Sequence, residues 1–148
     1  MNCIFCKIAN KEIPGKIVYE DDVCLAFLDL SQVTDGHTLV VPKKHYESFL
    51  ETDDEIIAHM FKVAKKVGNE LVEKLGAKGM NILSNANEVA GQTVKHFHIH
   101  LIPRYEENEG IKIHFEDRSD KVNLDEILAL IHLWLASKFL LFFLLGLN

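Results

Sequence analysis

The stretch Lys95-His96-Phe97-His98-Ile99-His100-Leu101-Ile102-Pro103 has a histidine at every second position and an apolar residue between each pair. A period of two is typical of a half-buried β-strand, because successive side chains point to opposite faces of a sheet. The pattern therefore predicts that the three histidines share one face and that Pro103 stops the strand. A core hydrogen bond explains one such histidine, whereas three in a row indicate a functional cluster.

A row of imidazoles supports two kinds of chemistry. Neutral imidazole is a common metal ligand, and it also acts as a nucleophile or as an acid and base near neutral pH. The histidine spacing leaves both uses open.

A second candidate cluster begins at the N-terminus, where Cys3 and Cys6 form a Cys-x-x-Cys pair. A redox motif of this kind would follow a strand, and two residues cannot form one. Half of a zinc site fits better, with His45 and His96 as candidates for the other two ligands. The alternative is a pair of free thiols near a terminus.

Hydrophobic periodicity elsewhere predicts an α+β domain with an antiparallel sheet of about five strands, one long helix and a shorter C-terminal helix. The turn at Asp21-Asp22 indicates a hairpin, and the Thr52-Asp53-Asp54 start and Gly76 end delimit the helix. The predicted elements are strands at 17–20, 23–28, 37–41, 80–84 and 95–103 and a helix at 53–75.

Composition limits the classes of partner. The 148 residues are enough for one domain with a core, and 22 acidic against 16 basic side chains give a net charge of −6. This charge argues against non-specific binding to DNA or RNA, which requires a positive surface. Three cysteines and a start without a secretory pattern predict a cytoplasmic protein with reduced thiols.

The histidine motif His96-Phe97-His98-Ile99-His100-Leu101-Ile102 resembles that of the histidine triad (HIT) nucleotide hydrolases and transferases, His-φ-His-φ-His-φ-φ with φ apolar. Three further stretches, at 27–30, 37–45 and 85–93, follow the family's order and similar spacing. The resemblance runs from about Cys3 to Arg104 and implies a HIT-like fold. By resemblance we also expect a homodimer formed through the long helix and an edge strand.

The resemblance also implies roles for individual residues. His98 would be the nucleophile, with His100 and the upstream His37 as donors to the phosphate or the leaving group. The expected nucleotide-binding residues are Phe27, Asp29, Leu30, Asn85, Gln92 and Thr93. A bacterial branch of the family binds zinc at positions that match Cys3, Cys6, His45 and His96, so a structural zinc and no organic cofactor are expected.

The implied reaction is attack on the α-phosphate of a purine nucleoside phosphoramidate or (di)nucleoside polyphosphate. A covalent nucleotidyl-histidine would form, and its hydrolysis would release a nucleoside monophosphate. Two other hypotheses remain: a non-catalytic, zinc-stabilised nucleotide-binding module, and a HIT relative that acts on adenylated DNA ends or RNA caps. The negative net charge of a single domain disfavours the second.

The C-terminal sequence departs from the family, which usually ends in a more polar segment. Residues 127–147 are apolar except for His132, Ser137 and Lys138, and 21 residues are just enough to span a bilayer. Lys138 and the lack of a positive flank argue against a span. A membrane anchor, a helix buried in a dimer and a reading-frame artefact are the three interpretations. We therefore expect a HIT domain at 1–126 and a separate tail at 127–148.

Overall fold

The computed structural model describes residues 2–133 and divides into two units, Met1–Lys112 and Ile113–Asn148. The first unit contains a five-stranded antiparallel sheet in the order β1-β2-β3-β5-β4, which confirms the expected α+β fold. Its elements are α1 (Ile4–Ala9), β1 (Ile17–Glu20), β2 (Cys24–Leu28), β3 (Thr38–Pro42), α2 (Asp54–Leu75), β4 (Gly79–Leu83) and β5 (Ile99–Arg104). The proposed boundary between 126 and 127 stays a prediction.

The two faces of the sheet have different covers. On one face, Phe97, Ile99 and Leu101 pack with Met60 and Val67 of α2 in the larger hydrophobic core. On the other face a smaller core of Phe5, Leu25, Phe27, Leu39 and Val41 is covered by α1. Since the histidines alternate with Phe97 and Ile99, they emerge on this second, less covered face.

Helix α2 ends at Gly76, which adopts the left-handed conformation with φ of 70°. An L side chain is strained in this conformation. A Cβ added to Gly76 would have nothing within 4 Å, so no steric clash complicates the effect.

We therefore expect Gly76→Ala to lower the free energy of unfolding by about 1 kcal/mol, because only the backbone conformation opposes the new methyl group. Urea titration monitored by circular dichroism measures this change. Gly79→Ala is the matched control, since Gly79 also has open space around its Cβ position but lies in strand β4. Equal destabilisation by both substitutions would contradict the role of the left-handed conformation.

Strand β5 differs from the predicted strand at both ends. It begins at Ile99, so His96 and His98 precede it and the predicted strand over 95–98 is wrong. The pairing of Val40 with Ile99 would place Phe97 opposite Pro42, which has no N–H for a ladder bond. Phe97 N–H instead donates to Tyr46 O at 2.7 Å.

The predicted stop at Pro103 is also wrong, since β5 continues to Arg104. Strand β3 pairs with β5 only from Leu101 back to Ile99, so beside Pro103 no β3 residue requires an N–H donor. The Pro103 carbonyl accepts a hydrogen bond from the Thr34 hydroxyl at 2.6 Å instead.

The turn between β1 and β2 is tied to α2 by the carboxylate of Asp21. Its Oδ1 accepts the N–H groups of Val23 and Cys24 at 2.8 Å each, and its Oδ2 lies 2.8 Å from both the Tyr19 hydroxyl and His59 Nε2. Burial opposes ionisation of this carboxyl, but these hydrogen bonds outweigh it and hold its pKa well below the ordinary 3.8. Stabilisation by the ionised carboxylate is therefore complete above about pH 4 and is lost as the pH falls further.

We expect Asp21→Asn to cost on the order of 2 kcal/mol of stability at pH 7, because charge-assisted hydrogen bonds are lost. The variant should also show a shallower loss of stability below pH 4 than the wild type. Urea unfolding between pH 3 and pH 7 measures both effects. The exposed neighbour in Asp22→Asn controls for the change in net charge, and equal behaviour of the two variants would contradict this account.

In the second unit, residues 124–133 are helical and Asn123 precedes them. Its side-chain Oδ1 accepts the N–H groups of Asp125 at 3.1 Å and Glu126 at 3.3 Å, as in a helix N-cap. This helix confirms the expected C-terminal helix. Within residues 2–133, no helix has the length and apolar character needed to cross a membrane. Residues 134–148 of the predicted tail lie outside the described part.

Candidate active site and metal centre

His98 is buried beside the edge of the sheet's second core, with its ring centroid 5.3 Å from that of Phe5. Its Nδ1 lies 2.6 Å from the carbonyl oxygen of His96, which can only accept, so Nδ1 carries the proton. Burial lowers the pKa of His98, against the opposing effects of the His96 carbonyl and Asp29. The ring is therefore neutral near pH 7, and Nε2 holds a free lone pair.

His100 lies on β5 next to His98, with ring centroids 4.8 Å apart. Its Nδ1 is 2.9 Å from Nε2 of His37, and the two rings stack at a centroid distance of 5.2 Å. Burial, followed by the neighbouring His98 and His37, lowers the pKa of His100 to about 4. The expected proximity of His37 to the triad is therefore present, because β3 pairs with β5.

Asp29 follows the end of β2 and faces the same group. Its Oδ1 accepts the Ser31 N–H at 2.8 Å, and its Oδ2 lies 3.7 Å from His37 Nδ1. The backbone N–H of Asp29 donates to the His37 carbonyl at 2.9 Å, which closes the loop between the two residues.

Gln32 strengthens this loop, and sequence reasoning did not identify it. Its side-chain Nε2 donates to the carbonyl oxygens of Asp29 at 2.5 Å and His37 at 2.7 Å. No motif marks this residue, because a glutamine in an exposed loop resembles any solvated polar side chain.

The remaining predicted nucleotide-binding residues have diverse surroundings. Phe27 is buried in the second core, 5.6 Å from Phe5 by ring centroid, and Leu30 is 93% exposed. Asn85 Nδ2 donates to the Gly91 carbonyl at 3.3 Å, within the loop that precedes the triad. Thr93 is exposed beside Cys3 and His45, on the side of the metal-ligand cluster.

Gln92 is buried, and backbone groups engage both ends of its amide. Its Oε1 accepts the Asn87 N–H at 2.7 Å, and its Nε2 donates to the Glu47 and Val94 carbonyls at 2.6 and 3.0 Å. This side chain shapes the loop between β4 and the triad.

The structure thus brings His37, His98, His100 and Asp29 together, while Gln92 and Thr93 face other groups.

Cys3, Cys6, His45 and His96 form one compact cluster. Nδ1 of His96 lies 3.3 Å from Cys3 Sγ, 3.5 Å from Cys6 Sγ and 3.2 Å from His45 Nδ1. Tetrahedral zinc with bonds of about 2.0 to 2.3 Å requires ligand separations of about 3.3 to 3.8 Å. One nitrogen cannot hydrogen bond well to three neighbours, whereas a central cation explains their convergence.

The orientation of His96 also suits a metal ligand. Its Nε2 lies 2.9 Å from the Pro42 carbonyl, to which it donates, so the lone pair on Nδ1 points at the cluster. Burial, followed by a hydrogen bond with Cys3, raises the pKa of the Cys6 thiol to about 11. Bound zinc would displace such thiol protons, because the thiolate is the ligand.

The sequences of three related proteins align with most of this chain. An uncharacterized HIT-like protein of Methanocaldococcus jannaschii is 52% identical over 126 residues, which cover 85% of this chain and 95% of that protein. The adenosine 5′-monophosphoramidase of Schizosaccharomyces pombe is 37% identical, covering 88% and 93%. The adenylylsulfatase of Arabidopsis thaliana is 41% identical, covering 71% of this chain and 53% of that protein.

Solved structures agree with the fold. A HIT family protein from Bacillus anthracis matches with a TM-score of 0.84 and 43% identity, covering 92% of this chain and 96% of that one. A zinc-bound histidine triad family protein from Mycobacterium smegmatis matches with a TM-score of 0.72 and 36% identity, covering 81% and 87%. The family model of the HIT domain matches residues 10–107. This chain therefore belongs to the HIT family.

Proposed function

We propose that this protein is a nucleotide hydrolase or transferase that acts at the α-phosphate of purine nucleoside phosphoramidates or (di)nucleoside polyphosphates. The observation that carries the proposal is the contact between His98 Nδ1 and the His96 carbonyl, which leaves Nε2 of a neutral ring as the nucleophile. Relatives named adenosine 5′-monophosphoramidase and adenylylsulfatase support an adenosine nucleotide as the substrate.

The reaction would proceed in two steps. His98 Nε2 attacks the α-phosphorus, the bond from phosphorus to the leaving group breaks, and a nucleotidyl-histidine forms. Positive charge then develops on the His98 ring, and the His96 carbonyl at Nδ1 stabilises it. Water cleaves the new phosphorus–nitrogen bond and releases the nucleoside monophosphate. His100 supplies a donor near the phosphate, His37 acts through its hydrogen bond with His100, and Asp29 accepts hydrogen bonds from the ribose hydroxyls.

We assign a structural zinc to Cys3, Cys6, His45 and His96. The four donor atoms fit tetrahedral zinc, and four protein ligands leave no open position for substrate. Zinc at this site would hold the N-terminal segment against the loop that carries His96. The zinc-bound relative from Mycobacterium smegmatis supports the assignment.

A homodimer in the cytoplasm completes the proposal. Strand β4 lies at one edge of the sheet, and Ile82 on this strand is 56% exposed. Phe61 on α2 is 42% exposed. Sedimentation equilibrium tests the dimer, and a monomer at micromolar concentration would contradict it.

Intact-protein mass spectrometry after brief incubation with adenosine 5′-phosphoramidate tests the enzymatic proposal. We expect a transient adduct of one adenosine monophosphate on the wild type, and no adduct on His98→Ala. A wild type that binds adenosine monophosphate but neither forms an adduct nor consumes substrate would favour the non-catalytic nucleotide-binding module.

A further inference from the structure

The two carboxylate oxygens of Asp29 face different groups. Oδ1 is held by the Ser31 N–H, whereas Oδ2 faces Nδ1 of His37 at 3.7 Å. The His37 ring is only 3% exposed, and its Nδ1 is a buried polar atom without a hydrogen-bond partner among the described residues. This arrangement requires an explanation, because a buried polar atom without a hydrogen-bond partner lowers the stability of the folded protein.

The charge of Asp29 selects the tautomer of His37. Neutral imidazole carries one proton, on Nδ1 or on Nε2. A bare Nδ1 would direct its lone pair at a carboxylate, which is repulsive, whereas a protonated Nδ1 directs an N–H at it. Asp29 thus favours the proton on Nδ1, and Nε2 of His37 becomes an acceptor.

The tautomer of His37 then determines that of His100. Since His37 Nε2 accepts, Nδ1 of His100 must donate across the 2.9 Å between them. Nε2 of His100 is left as the atom that gains and loses a proton, and the His100 ring lies beside His98. The negative charge of Asp29 also acts to raise the pKa of both His98 and His100, against the larger effect of burial.

We infer that Asp29, besides contacting ribose, is a positioning residue that sets His100 Nε2 as the proton carrier of the reaction through His37. The inference rests on the proposed function. The reactive form of His100 is the imidazolium, whose Nδ1–H donates to His37 and whose Nε2 holds a second proton taken up from solvent. As His98 Nε2 bonds to phosphorus and the P–N bond of a phosphoramidate breaks, this Nε2 proton passes to the leaving amine. His100 Nε2 then takes a proton from the water that cleaves the nucleotidyl-histidine, which restores the starting state.

A substrate without ribose hydroxyls separates this role from ribose binding. 2′,3′-Dideoxyadenosine 5′-phosphoramidate offers no sugar hydroxyl to Asp29, and its amine leaving group needs a proton. The matching 5′-phosphorofluoridate releases fluoride, which needs none. The rate of nucleotidyl transfer to His98 in a single turnover is measured for both compounds with wild type, Asp29→Asn and Asp22→Asn, the last being an exposed carboxylate outside the site.

We expect Asp29→Asn to slow transfer from the phosphoramidate by about tenfold or more, within the range of general acid–base catalysis. Transfer from the phosphorofluoridate should change by less than about threefold, since its leaving group takes no proton. Asp22→Asn should match the wild type with both compounds. In a His37→Ala background, Asp29→Asn should not lower the rate of transfer from the phosphoramidate any further, because Asp29 acts through His37.

Two results would overturn the inference while leaving the proposed function intact. Equal slowing of both compounds would assign Asp29 a general structural role, and an unchanged phosphoramidate rate would restrict it to ribose binding. Failure of the wild type to transfer the nucleotide from both of these compounds and from adenosine 5′-phosphoramidate itself would instead overturn the proposed function, and the inference with it.

Discussion

Replacement of His98 by alanine should lower turnover of adenosine 5′-phosphoramidate by at least about 1,000-fold, as expected when a covalent nucleophile is removed. His100 and His37 remain in the variant, but neither has a proton fixed by a backbone carbonyl as His98 does. The Kd for adenosine monophosphate should change by less than about fivefold, because the proposed ribose and base contacts are unaffected. Steady-state kinetics and isothermal titration calorimetry provide the two measurements.

His114→Ala is a suitable control, since it removes an exposed histidine from outside the first structural unit. Its turnover should equal that of the wild type. Turnover by His98→Ala within about tenfold of the wild type would contradict covalent catalysis by this residue. A loss of nucleotide affinity as large as the loss of turnover would instead indicate that His98 mainly binds the phosphate.

Removal of zinc should produce the largest loss of stability. Chelation of the wild type should lower Tm by at least about 5 °C, since zinc bound only by the folded state contributes its binding free energy to folding. Thermal unfolding with and without a chelator measures the shift. Native mass spectrometry should count one zinc per chain before chelation.

Cysteine variants make this test specific. Cys3→Ala and Cys6→Ala should lose zinc and show the lowered Tm without a chelator. Cys24→Ala should keep one zinc, because Cys24 lies in the larger hydrophobic core and outside the cluster, even if its own cavity lowers Tm. Retention of zinc by Cys3→Ala and Cys6→Ala would contradict the assigned ligands.

Periodicity predicted the faces of the sheet better than the limits of its strands. The alternation of His96, Phe97 and His98 placed apolar side chains in the core although these residues precede strand β5. The burial pattern depends only on which side each residue faces, whereas the strand limit depends on a hydrogen-bond partner. Pro42 removes that partner on a strand 50 residues or more away in sequence, so local pattern could not show the limit.

In the candidate site, too, the sequence predicted which residues come together but not the hydrogen bonds between distant parts of the chain. Spacing and family resemblance identified His37, Asp29 and the triad, which the fold brings together. The role of Gln92 was not predictable, because its amide bonds to Glu47, 45 residues earlier in the chain. Gln32 was missed for a related reason, since its partners are carbonyl oxygens that leave no trace in a sequence.

One residue, His96, contacts both the metal-ligand cluster and His98. Its imidazole faces the metal-ligand cluster, and its carbonyl oxygen accepts a hydrogen bond from Nδ1–H of His98. A change at His96 that shifts the backbone will alter metal content and reaction rate together, so a variant there cannot tell which was lost first. Cys3 and Cys6 contact the cluster through side chains alone, and substitutions of these residues are the ones that can tell whether catalysis depends on the metal.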